Sequence, residues 1–233
     1  MFYLQILGGK DKYMKLLARQ LLFMTSIEYS AVEIHDFLHR NIDRALKRLE
    51  YCLSWSNMKH NKNFADEIVF NPLHSGHCAI FLYFLSKEAG KEGGTWSHML
   101  AYLNKMMNGL ELSPFVDMPN YFFLEHPLGT ILGRAKYGDG FFCMQGGTVG
   151  AKNGREPLEF PEFGRNVLMM AHSACLGNAH IGNNVIFSFG SMIMNENVPD
   201  NSIIFGRSPN AKIVTIAPEK MKKKIAIYWR EKS

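Results

Sequence analysis

Nine histidines and four cysteines are the side chains of this 233-residue sequence best suited to chemistry. Cys52, Cys78, Cys143 and Cys175 form no Cys-x-x-Cys pair and no zinc spacing, so they read as reduced thiols filling apolar space. A histidine titrates near neutrality and can take a proton from a hydroxyl as its oxygen attacks an acyl carbon. His126 follows Glu125 and precedes Pro127-Leu128-Gly129; taken alone, it reads as a turn residue hydrogen-bonding at a corner. His172 and His180 fall at different phases of the repeat described below, with no third partner at useful spacing, so no metal is expected. His74 and His77 read as packing or surface residues. Lys220, Lys222, Lys223 and Lys224 concentrate part of the formal charge of +5, as a solvated tail or a lure for a polyanionic small molecule. Without interleaved aromatics or a motif, nucleic acid is not expected as a partner.

Two kinds of element must position these residues. Ile34, Leu38, Ile42, Ala45, Leu49, Cys52 and Leu53 recur at helical spacing. Asn71-Pro72 opens a second helix through Ala79, Ile80, Leu82, Tyr83, Phe84 and Leu85, apolar on most sides and so central or at a subunit contact. Gly90, Gly93 and Gly94 precede a third, from about residue 95 to 108. Beyond Ser113-Pro114 the period becomes six. Phe163, Met169, Cys175, Ile181, Phe187 and Ile193 are apolar or thiol, and small or β-branched residues sit four places on, at Val167, Ser173, Ala179, Val185 and Ser191. Backwards across a gap the ladder gives Ile131, Tyr137, Cys143 and Val149. Neither a helix nor a flat strand has this period; a hexapeptide β-helix does.

The predicted fold is therefore α+β: an α-helical domain over residues 1–112, a left-handed parallel β-helix over 113–217, and a basic C-terminal tail over 218–233. Residues 151–162 must leave the coil as a loop, or the inward phase would be lost. The first apolar run is too short for a signal peptide and residues 78–85 are too short to span a membrane, so a cytoplasmic protein is expected.

Several strings in the coil resemble those of the acetyl-CoA-dependent hexapeptide acyltransferases, above all the serine acetyltransferases. Glu125-His126-Pro127-Leu128-Gly129-Thr130-Ile131-Leu132-Gly133 is similar to that family's Asp-His-Ala-Thr-Gly-Ile-Val-Ile-Gly, and Gln145-Gly146-Gly147-Thr148-Val149-Gly150 to its Gln-x-Val-Thr-Leu-Gly. Cys175-Leu176-Gly177-Asn178 with Ile181-Gly182, and the stretch Gly206 to Lys212, resemble its later rungs and terminator. The similarity covers residues 113–217.

The resemblance implies acetyl transfer from acetyl-CoA to a small hydroxyl acceptor, serine first, with His126 as general base. It implies Asp117 as the partner of His126, although the nine-residue separation is about one rung short; as a turn cap, Asp117 fits equally well. Glu125 stands near the acceptor's amino group. The family's Arg-His pair, which receives the substrate carboxylate, is replaced by Glu159 and Phe160, leaving Arg155 as the loop's candidate cation and making a sugar or nucleotide-sugar acceptor the alternative. A non-catalytic scaffold is the third reading. Gly150, Ala151, Ala171, Phe189 and Lys212 match positions along the coenzyme A track, Phe189 being bulky where the family has a small residue. A homotrimer or dimer of trimers is implied as well.

Overall fold

The computed structural model describes residues 4–25, 29–93, 95–152 and 158–230. Four helices come first: α1 (Lys10–Thr25), α2 (Ala31–Ser54), α3 (Ser75–Gly90) and α4 (Trp96–Asn108). Ser30 and Glu33 form a reciprocal capping box at the start of α2, each satisfying an amide the helix leaves unpaired. The ladder from Ile34 to Leu53 is its buried face. Helix α3 is buried on nearly all sides between α2 and α4, so its apolar girth is covered within one chain. Asn71 caps the turn ahead of it, its Oδ1 accepting from the Leu73 amide, and the helix proper starts at Ser75. No described helix is long and apolar enough to cross a membrane.

The coil begins at the strand Leu110–Leu112, three residues before the expected boundary. One face stacks Leu112, Leu132, Val149, Cys175 and Ile193 in parallel register. A second stacks Leu124, Cys143, Met169, Phe187 and Ile204, closed by the antiparallel strand Lys212–Thr215. The third stacks Phe163, Ile181 and Val198, with Tyr137 over Phe163. Val167, Ser173, Ala179, Val185 and Ser191 are fully buried, as the small-residue phase requires.

One rung is corrected. Ile131 is 44% exposed and Leu132 is the inward residue. One residue fewer separates Leu132 from Val149 than separates Cys175 from Ile193, and because strand side chains alternate, that contraction turns Ile131 outward.

Residues 218–230 do not trail as a tail. Helix α5 (Pro218–Ile225) buries Met221 and Ile225, and Trp229 follows them inward. The lysines occupy its exposed face. The chain then returns to the end of α2, where the Asn57 amide donates to Tyr228 O (2.8 Å) and the Arg230 amide to Trp55 O (2.9 Å).

Candidate functional site

His126 sits at a coil corner with φ +48°. The corner demands the left-handed conformation, which Asn and Gly tolerate best. Among the described residues, the other non-glycine residues with positive φ in the coil are Asn166, Asn184, Asn195, Asn201 and His172. Two histidines thus stand in a conformation for which the coil otherwise uses Asn or Gly, a departure that local turn geometry does not require. The His126 side chain is 65% exposed, and its Nε2 lies 3.3 Å from Oε1 of Glu125, whose carboxylate is only 10% exposed. Burial holds the Glu125 carboxyl above its ordinary range, with His126 pulling it back.

Behind Glu125 the helical half closes in. Gly76, in the first turn of α3, lies so close to the strand Phe122–Glu125 that a Cβ there would stand 2.1 Å from Leu124 O. That approach brings His74 and His77 to the strand end, where His60 joins them from the turn Lys59–Asn61. His60 stacks on His74 (4.5 Å), and His74 lies 4.5 Å from His77. His60 Nε2 is 3.6 Å from Glu125 Oε2. Burial lowers all three imidazoles, His77 to about 3 and His60 to about 4, so they are neutral at neutral pH. His74 and His77 are thus more than packing or surface residues, and His60, which lies in no periodic element, joins them only because separate segments of the helical domain converge.

The remaining expected residues divide by position. Extending the strand register past Glu125 and Met144 aligns His126, Gln145, Ala171 and Phe189 along one corner. Ala171 is buried there and Phe189 is 73% exposed, its ring edge-on to His172. Gly146 leaves the room His172 needs, since a Cβ would stand 2.3 Å from its Nδ1. Gly150 and Ala151 belong to a different corner, where the Gly177 amide donates to Gly150 O. Lys212 is exposed on the closing antiparallel strand.

Asp117 is not brought to His126. Its carboxylate pairs with Lys87 Nζ at 2.6 Å, thirteen residues along α3 from His74, which at 1.5 Å per residue is about 20 Å from the histidine cluster. Nor is it the cap of the turn entering the coil: Ser113 Oγ accepts from the Phe115 amide there. Arg155 lies outside the described residues. Beside it, Glu159 and Phe160 fold back onto the coil, Glu159 accepting from Asn178 Nδ2 (3.1 Å) and Phe160 lying under the Arg134 guanidinium (4.9 Å). Arg134 is a cation at this loop that the sequence reading did not single out.

A corner histidine backed by a buried carboxylate stands here on a coil of six-residue rungs, a hexapeptide-repeat β-helix. Within that class, the serine acetyltransferases are the proteins this chain is similar to. Serine acetyltransferase of Synechococcus elongatus is 29% identical over 109 residues, covering 46% of this chain and 44% of that protein. That of Staphylococcus epidermidis is 29% identical over 111 residues, 47% of this chain and 52% of that one. The chain thus spans about half the length of these relatives. The crystal structure of Neisseria gonorrhoeae serine acetyltransferase superposes with a TM-score of 0.66 at 20% identity, over 89% of this chain and 81% of that one, so the likeness extends through the helical half as a fold. No family model matches the chain.

Proposed function

We propose that the chain is an acetyl-CoA-dependent O-acetyltransferase acting on serine or a similarly small hydroxyl acceptor. The observation that carries this reading is His126 in its strained corner against Glu125, on a coil whose sequence is similar to serine acetyltransferases. In the reaction, His126 removes the acceptor hydroxyl proton as the oxygen bonds to the thioester carbon. The tetrahedral oxyanion then collapses, the carbon–sulfur bond breaks, and the imidazolium returns its proton to the coenzyme A thiolate. Glu125, in place of Asp117, is the carboxylate that orients the imidazole and stabilises its cation.

Acetyl-CoA as donor is supported by Ala171 and Phe189, which share the His126 corner, and a related structure from Brucella abortus is described in complex with coenzyme A. Gly150 and Ala151 face away on another corner of the same coil. The resemblance puts both corners on one donor track, which favours a cyclic trimer whose adjoining chains share each site. Serine as acceptor is supported by the Neisseria gonorrhoeae enzyme's structure in complex with serine. A sugar or nucleotide-sugar acceptor is favoured by one observation: Glu159 and Phe160 are engaged by Asn178 and Arg134 and offer no cation to a carboxylate.

The test is release of free thiol from acetyl-CoA against a panel of serine, homoserine, sugars and nucleotide-sugars. Asn fits the left-handed corner, so His126→Asn removes the base while keeping the turn. Acceptor-dependent release falling about 10²–10⁴-fold in that variant is expected. Full activity in His126→Asn would sink the mechanism, and no turnover with no coenzyme A binding would leave the coil as a scaffold.

A further inference from the structure

The cluster behind Glu125 holds polar atoms that the transfer reaction leaves unused. His60 Nε2, Glu125 Oε2 and Asn61 Nδ2 are all buried and lack a hydrogen-bond partner. Burying such groups unpaired is costly, and the two that face each other, His60 Nε2 and Glu125 Oε2, point to something that binds between them. The His60 and Glu125 atoms face each other at 3.6 Å, too long for a hydrogen bond. It is close to the roughly 3.3 Å that separates two ligands of a tetrahedral zinc ion with bonds of about 2.0–2.2 Å. Ring nitrogens of His60, His74 and His77 lie within 4.8 Å of one another.

The three imidazoles are not equivalent. His77 is committed at both ends: its Nδ1 accepts from the Asn71 amide (3.1 Å) and its Nε2 meets Asn61 Oδ1 at 2.6 Å. Among the described residues, the one hydrogen bond to the His74 ring is a 3.4 Å contact from the His77 amide to its Nδ1, so the ring gives up little by turning to a metal. His60 has its Nε2 unbonded. We propose that His60, His74 and Glu125 form a binding site for a zinc-class divalent transition-metal ion, with His77 fixing the back wall. Two imidazoles and one carboxylate are the His₂Glu set of an open zinc site, with a position left for water or an exogenous ligand. Imidazole ligands select zinc, copper or nickel over magnesium or calcium. The rings are neutral, the form in which histidine ligates. His60 is one-third exposed, which gives an ion a way in.

The site shares Glu125 with the acetyl-transfer reading, but its test is independent of that reading because the ion is detected without substrate. The test is titration of the chelator-stripped chain with cobalt(II), followed by its visible absorption and by calorimetry, with zinc as competitor. One equivalent of cobalt in a four- or five-coordinate spectrum, displaced by zinc, is expected. His60→Gln and Glu125→Gln, each checked for folding by circular dichroism, should each weaken binding more than about a hundredfold, since even outer-shell losses cost 10–100-fold. His39→Gln is the control, because His35 and His39 form an exposed pair one helical turn apart, with Nε2 atoms 3.0 Å apart. Absence of cobalt binding, binding retained in folded His60→Gln, or binding lost in His39→Gln would each overturn the site.

Discussion

Glu125 presents its two oxygens to two imidazoles: Oε1 faces His126 and Oε2 faces His60. If Oε1 stabilises the imidazolium formed during transfer, its charge matters more than its shape. Glu125→Gln, nearly isosteric, should lower kcat by about 10- to 100-fold, within the range of a partner to a general base. KM for acetyl-CoA should stay within about twofold, because the Glu125 carboxylate is buried behind His126. Glu125→Asp, which keeps the charge and shortens the reach, should recover part of the loss. Equal kcat in wild type and Glu125→Gln would remove Glu125 from the mechanism. At this scale, the sequence marked His126 and Glu125 because they are adjacent and lie in a recognisable string. Asp117 misled because the resemblance implied it while its nine-residue separation from His126 fell one rung short; chain distance decides which part of the coil a residue reaches. His60 left no local signal at all.

Elements were legible wherever one period governed a whole face. Helix α2 and the rungs from Tyr137 to Ile193 follow from 3.6- and six-residue spacing, because each face is buried uniformly along its length. The first rung slipped at Ile131, since a one-residue contraction leaves both Ile131 and Leu132 apolar and sequence offers no way to choose between them. Helix α5 was hidden by its lysines: Met221, Ile225 and Trp229 make too short a stripe to stand out from a basic run. Phe189 is the outlying residue of the His126 corner, a large exposed ring where the coil offers small side chains elsewhere on the track. Coenzyme A lying along that corner would cover it. Removing a covered aromatic ring costs about 1–2 kcal/mol of binding, so Phe189→Ala should raise KM for acetyl-CoA about 5- to 30-fold with kcat little changed. An unchanged or lowered KM in steady-state assays would mean that the donor takes another path or that the ring obstructs it.

The helical half and the coil are joined along their length, so they should unfold as one unit. Cys52 Sγ on α2 donates to Phe122 O (2.9 Å), and Tyr83 OH on α3 donates to Val116 O (2.8 Å). The histidine cluster sits in the same seam and makes it sensitive to acid. The native pKa values of His77 and His60, about 3 and about 4, lie below the ordinary histidine value of 6.5. Between these limits the unfolded chain binds protons that the native chain does not, so stability is full above about pH 6.5 and declines as the pH falls towards 4. Glu125 works the other way, because its raised native pKa lets the folded chain take a proton earlier than the unfolded one. His77 is fully buried, so its contribution is the least screened: at about 1.4 kcal/mol per pH unit it costs roughly 3 kcal/mol between pH 6.5 and pH 4. Urea unfolding of chelator-stripped protein should therefore show a midpoint that drops steeply below pH 6. His77→Gln keeps a side chain able to hydrogen-bond but not to titrate. That variant should be less stable than wild type at pH 7.5 and should lose less on acidification, so the two stability curves converge towards pH 4. Parallel curves would mean that His77 is protonated in the folded chain, and that the seam is not where acid acts.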